Sequence, residues 1–225
     1  MTSSALDASV AAAPDWRELR PLELTPILSA ALDAFYENGF HGASVRDIAK
    51  RVGVTVPALY YHHENKEGLL LALLELSTRD VLARADAADA AGGDDPVQRL
   101  ANVIYSIVLR MTNRARMVSL ESEVRYLSAD NRQHHSAVRK NIEELVLAIV
   151  KDGVRAGVFS ADDAAETTRA VLGMCQSIPR WYHAEGKLSP ESVSNKYVTI
   201  ALKAVGCNAT VRPIRAPRRR KTEAG

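Results

Sequence analysis

Almost every long segment of this 225-residue chain repeats its apolar residues every three to four positions, with no sustained alternation of large apolar and polar residues of the kind that a half-buried strand requires. A period near 3.6 buries one stripe of a helix, whereas a half-buried strand needs a period of two. The sequence therefore predicts an all-α fold of about nine helices. Ile27, Leu28, Ala31, Leu32 and Phe35 share one face of a first helix over 24–38, with Gly39 as its C-terminal cap. Ser44 caps a short helix from Val45 to Val52, closed by Gly53. Thr55 caps the next, with Pro57 in a first turn where a missing N–H costs nothing. A long helix runs from Lys66 to Ala90 on Leu69, Leu70, Leu73, Leu74, Val81 and Leu82, and Asp95 with Pro96 restarts one through Leu109. Further helices fit 115–128, 131–156, 161–184 and 190–205.

Three short helices followed by much longer ones place a division near residue 66. The predicted organisation is a flexible leader over 1–20, a helix-turn-helix domain over 21–67, a larger helical domain over 68–206 and a disordered basic tail over 207–225. The first of these domains is too small to complete a core alone and must lean on the second. With 47% hydrophobic and 25% charged residues the chain is neither collagenous nor disordered throughout. No run approaches the roughly 18 to 20 apolar residues of a membrane span. Met1–Pro14 lacks the basic start of a secretory signal, and Asp7 interrupts its apolar run. Cys175 and Cys207 have no metal-ligand or CxxC spacing, as in a reduced intracellular protein. These readings predict a cytoplasmic protein with no membrane partner.

Gly53-Val54-Thr55 joins two short helices as a helix-turn-helix, whose second helix can enter a DNA major groove. That corner alone says little, because any three-helix bundle contains one. Its far end says more. Tyr60, Tyr61, His62, His63 and Lys66 cluster at the turn into the long helix, and phenol, imidazole, ammonium and free helix-start N–H groups all donate to phosphate.

Over Ile27–Leu70 the chain resembles the tetracycline-repressor (TetR) family of transcriptional regulators. The residues that carry the likeness are Ala31, Phe35 and Gly39-Phe40, then Ser44-Val45-Arg46-Asp47-Ile48-Ala49, Gly53-Val54, Leu59-Tyr60-Tyr61-His62 and Lys66-Glu67. His63 departs from it, since the family usually has a Phe there. The resemblance implies a recognition helix over Thr55–His62 with Thr55, Val56, Pro57 and Ala58 facing bases. Tyr60, Tyr61, His62, Ser44, Arg46 and Lys66 then contact mainly phosphate. Small side chains read thymine methyls and groove shape rather than make bidentate base contacts.

The resemblance also implies a homodimer on a palindromic double-stranded DNA operator. Its dimer elements are the last two helices, carrying Ala164, Ala165, Ala170, Val171, Met174 and Ile178, then Val193, Tyr197, Ile200, Ala201 and Ala204. An effector cavity is implied among the middle helices, with candidates Tyr105, Leu109, Met117, Leu120, Glu121, Tyr126, Met174, Arg180, Trp181 and Tyr182. The stretch from Ile178 through Pro190 looks like that of actinobacterial members associated with lipid catabolism, whose effectors include acyl-coenzyme A thioesters. A ligand-released repressor is thus expected, the alternative being a helical interaction module that binds a protein instead of DNA.

No enzyme or cofactor is expected. The sequence has no Gly-rich phosphate loop, HExxH, ExxH or GxSxG, and adjacent histidines such as His62-His63 and His134-His135 point about 100° apart on a helix. Net charge is only +2, and residues 17–67 hold six Lys+Arg against seven Asp+Glu. Six cations over 212–221 make the tail the one strongly basic element.

Overall fold

An oxygen-bearing side chain stands before nearly every helix and accepts one of its orphan N–H groups, as Thr25, Thr55, Asn65, Asp95, Ser128, Asp163 and Ser189 do. The structure, a computed structural model, describes residues 15–18, 20–113, 116–117 and 120–215. Among these residues there is no strand. The helices are α1 (Pro26–Gly42), α2 (Val45–Val52), α3 (Val56–His62), α4 (Lys66–Ala90), α5 (Pro96–Met111), α6 (Ala129–Arg155), α7 (Ala164–Gln176) and α8 (Pro190–Ala204). Short 3-10 segments cover Leu120–Tyr126 and Ile178–Arg180. The all-α expectation holds.

Several boundaries differ for local reasons. Gly39 adopts φ 67° and ψ 174°, but instead of ending α1 it kinks it, and one more turn follows to Gly42. The helix expected over 161–184 stops at Gln176, because Pro179 cannot donate and its ring crowds the preceding turn. Within 115–128, Leu120–Tyr126 forms a 3-10 segment rather than an α-helix.

Two cores form, and α4 belongs to both. Leu69, Leu70, Leu73 and Leu74 join Leu28, Phe35, Ile48 and Leu59 in the first, which Met117, Leu120 and Leu127 complete from beyond the predicted boundary. One helical repeat further, Val81, Ala85 and Ala88 enter the second core with α5, α6, α7 and α8. The small domain indeed leans on the large one.

Both predicted flexible ends differ from expectation where they are described. Trp16 is 9% exposed and lies in the second core, while Val211 and Ile214 pack against it from the other end. Asn195 clamps Ile214, donating to its carbonyl at 3.1 Å and accepting its N–H at 2.9 Å. Residues 1–14 and the cationic run 218–221 lie outside the described residues.

At the centre Asp80 binds two arginines of the interior, Arg84 at 3.1 Å and Arg110. Arg110 is 1% exposed, and burial, with Arg84 beside it, lowers its pKa against the pull of Asp80. Removing the shared carboxylate leaves two cations without compensation. Asp80→Asn should therefore lower the unfolding free energy by about 3 kcal/mol in urea titration.

Two carboxylates join the domains. Glu123, in the 3-10 segment, accepts the Phe40 N–H at 2.9 Å beside the Gly39 kink. Glu67, in the first turn of α4, accepts the Ser128 N–H at 2.7 Å and the Asn131 amide at 2.6 Å. A glutamate three residues into the same helix commonly serves the N-cap N–H; here another helix supplies it. Those donors hold the Glu67 carboxyl below the usual carboxylate range, despite partial burial. A folded-state pKa below the unfolded one means stability that is complete above the unfolded pKa and lost as pH falls through the folded one. Glu67→Gln should cost about 1 kcal/mol at pH 7, and urea midpoints of the two chains should converge once pH drops below the folded pKa.

Candidate functional site

The turn between α2 and α3 depends on Gly53, whose φ of 74° is the left-handed region that an L side chain rarely adopts. Its N–H returns to the Ala49 and Lys50 carbonyls, and the Val54 N–H to Ala49 at 3.0 Å, which stops α2 and aims the chain outward. Thr55 then caps α3, accepting the Ala58 N–H at 3.3 Å. Ile48 and Leu59 are fully buried between the helices and fix the angle at which α3 leaves the domain.

That packing leaves a polar ridge facing solvent. Thr55, Pro57, Ala58, Tyr60, Tyr61 and His62 are exposed, and Val56 is half-buried. Tyr61 is 88% exposed, its ring edge-on to His62 with centroids 5.4 Å apart. Arg46 is exposed on α2 and makes no ion pair among the described residues. Ser44 starts α2 without a side-chain capping bond, so its hydroxyl is not spent on its own helix. The expected base-facing and phosphate-facing residues thus share one end of the molecule.

Lys66 serves a second purpose that its spacing did not reveal. Its ammonium donates to the Ala43 carbonyl at 3.0 Å and the His41 carbonyl at 3.4 Å, and lies 4.7 Å from the Phe40 ring centroid. It neutralises the carbonyl end of α1 and anchors α4 to it. His63, the departure from the family pattern, is half-buried, and burial, with His62 beside it, lowers its pKa.

The ten effector candidates fall into separate environments. Tyr105, Leu109, Met174 and Tyr182 meet in the second core. Burial, with Glu191 adding to it, pushes the Tyr105 phenol up to about 12. Met117, Leu120 and Tyr126 instead join the first core, where Tyr126 stacks on Phe40 with rings 12° apart. Glu121 faces Arg139 at 3.4 Å and the buried His135 at 3.6 Å; although burial raises its pKa, these two partners hold it below the usual range. Arg180 and Trp181 are exposed, Trp181 stacking on Tyr197 at 6.3 Å. An open groove of about 400 Å³ between α6 and α7 is lined by Arg139, Lys140, Glu143 and Arg169, none of them candidates.

Of the residues expected at a dimer face, Val171, Ile178, Val193 and Ala201 are buried within the protomer. Ala170, Ile200 and Ala204 remain exposed, together with Trp181 and Leu188. Sequence reasoning missed Trp16, Asp80 and Glu123, and gave Glu67 no part beyond the family likeness. The one available signal was Asp80 and Arg84, an i,i+4 charge pair inside an otherwise apolar helical pattern.

Residues 27–73 match the family model of bacterial regulatory proteins of the tetR family, and residues 93–205 that of the tetracyclin repressor-like C-terminal domain. The HTH-type transcriptional repressor KstR2 of Rhodococcus jostii is 27% identical over 180 residues, covering 79% of this chain and 88% of that protein. The TetR family regulator PfmR from Thermus thermophilus superposes with a TM-score of 0.72 at 30% identity over 79% of this chain and 97% of its own. AibR, solved with isovaleryl coenzyme A and operator DNA, gives 0.66 at 25% identity over 77% and 95%. No described helix is long and apolar enough to cross a membrane. A helix-turn-helix with an exposed polar ridge, carried on a helical domain that matches the family's second model, identifies this chain as a DNA-binding transcriptional regulator that belongs to the TetR family.

Proposed function

We propose that the chain is a homodimeric repressor of a palindromic operator, released when a small hydrophobic effector of the acyl-coenzyme A class binds its larger domain. The observation that carries the reading is α4, which begins under the DNA-facing ridge and ends in the second core. Anything that moves α5, α6 or α7 against α4 moves the reader with it. In a dimer two readers must span successive major-groove faces about 34 Å apart, so a small change of separation decides binding. The effector must favour the geometry that does not fit DNA. AibR, which binds isovaleryl coenzyme A and operator DNA, supports the effector class. The exposed Trp181, Leu188 and Ile200 beside α8 support the dimer, because such side chains gather where copies meet.

On this reading Thr55, Val56, Pro57 and Ala58 meet base edges, and Ser44, Arg46, Tyr60, Tyr61 and His62 meet phosphate. Lys66 keeps one N–H for phosphate while two hold α1. A gel shift on the gene's own upstream DNA, with and without acyl-coenzyme A thioesters, tests the whole. Specific, thioester-released binding is expected; no binding at low salt would instead favour a protein-interaction module.

Tyr60→Phe with His62→Ala should weaken operator binding by roughly tenfold or more, since each phosphate hydrogen bond removed is worth about 1 kcal/mol. The unfolding midpoint should hold, because both side chains are exposed. Unchanged affinity would refute their phosphate role.

Deleting 216–225 removes Arg218, Arg219, Arg220 and Lys221 but keeps the Asn195–Ile214 clamp. The slope of log affinity against log salt should fall by about 0.9 for each phosphate that the shortened chain no longer neutralises. Operator preference should stay, and an unaltered slope would show that the run is only a solubilising end.

A further inference from the structure

Asp15–Glu18 and Arg20 precede the reader in sequence, yet their seat is on the larger domain. Trp16 packs edge-on against Tyr105 with ring centroids 6.0 Å apart. Arg84 donates to the Asp15 carbonyl at 3.0 Å and the Glu18 carbonyl at 3.3 Å, and Arg110 donates to that of Arg20. Asp80 fixes both guanidinium groups from below. Residues 21–25 then lead straight to Pro26, the first residue of α1. The strap so formed ties buried arginines of the second core to the first helix of the reader.

The seat is chemically incomplete. Tyr105, Ser106 and Arg110 are at most 1% exposed, yet Tyr105 Oη, Ser106 Oγ and Arg110 Nε make no hydrogen bond among the described residues. Native interiors leave few such groups. Ser106 and Arg110, four apart, lie on one face of α5. The Arg110 Nε can only donate, so whatever completes the seat must bring an acceptor. Strap carbonyls already take the outer guanidinium N–H groups. A carboxylate or phosphate oxygen would take them in shorter, charge-assisted bonds. Around them Trp16 shares an apolar cluster with Val81, Ala85, Leu109 and Tyr182, and its indole fills space that an apolar body could occupy.

We propose that Asp15–Glu18, with Arg20, are an intramolecular occupant of a binding site for an amphiphilic anion, which displaces the strap by placing its anionic head on Arg84 and Arg110 and its apolar body where Trp16 lies. Displacement frees α1 from the second core, giving the ligand a route to the reader besides α4. The inference rests on reading the larger domain as effector-binding, but it does not require a coenzyme A thioester.

Trp16 and Trp181 are the two tryptophans, so Trp181→Phe leaves Trp16 as the reporter. Its emission should start blue-shifted and move to the red, saturably, with dodecanoate below its micelle concentration. Dodecanol, the same chain without the anion, should leave it in place. By calorimetry Trp16→Ala should bind dodecanoate about tenfold more tightly than the parent, because a strap closed nine-tenths of the time no longer competes. Trp16→Phe, which keeps an aromatic plug, should stay near the parent. Dodecanoate binding with unmoved Trp16 emission, equal affinity for Trp16→Ala and parent, or no binding by any of these chains overturns the proposal. If Trp16→Ala fails to fold, the emission of the Trp181→Phe chain decides alone. Operator release by thioesters is scored separately. A moving Trp16 without such release would sink the effector class and leave the strap standing.

Discussion

The reader has no core of its own without the first half of α4. Leu69, Leu70, Leu73 and Leu74 are all within 1% of full burial, and each such side chain contributes about 1.5–3 kcal/mol. Withdrawn from the reader, they would strip Leu28, Phe35, Ile48 and Leu59 of the four leucines at the centre of their core. The same helix carries Val81, Ala85 and Ala88 into the second core with no break between. A domain that borrows its core from a rod cannot turn independently of that rod. The small size of the reader and its rigid attachment to α4 are therefore one fact.

Around that rod the polar contacts act as fine control. Glu67 and Glu123 each reach across the domain boundary to a backbone N–H, one at the start of α6 and one beside the Gly39 kink. Tyr126 lies flat on Phe40 in the same corner, and the Lys66 ammonium covers the ring and the end of α1. This corner holds the reader in one orientation with short, directional bonds at an accessible surface. Such bonds can be exchanged for water at small cost, unlike the leucines beneath.

The helix-turn-helix was legible because its signals are local: a cap, a proline, a left-handed glycine and an apolar period, each acting within a turn of its own position. Val45–Val52, Lys66–Ala90 and Pro190–Ala204 lie where that period puts them, although Ser44 makes no capping bond to the first of them. The exposed polar ridge was legible for the same reason, since exposure of Tyr61 or His62 follows from the buried phase of Leu59. What could not be read were pairings at long range. Nothing in the sequence around Trp16 says that it will find Tyr105, and the aperiodic stretch after Val205 gives no sign that Asn195 will grip Ile214. The effector candidates failed to converge for a related reason. Period places a residue on the buried side of its helix but does not say which of two cores that side meets, and Met117 and Leu120 went to the reader.

A switch of the proposed kind needs the effector to distinguish two geometries by several kcal/mol, about 5.5 to move a population from 1:99 to 99:1. Apolar burial alone serves poorly, because a greasy body is held almost equally well in either shape. In the proposed switch the unfinished polar set would supply the missing discrimination. Each buried donor without an acceptor costs about 1–3 kcal/mol, and Tyr105, Ser106 and Arg110 leave three such atoms along α5. A ligand that satisfies them in the open arrangement recovers that cost only there, so its differential affinity is of the size required. Linkage would then run both ways: operator DNA, by holding the readers in register, would keep those donors unsatisfied and weaken such a ligand by the same factor.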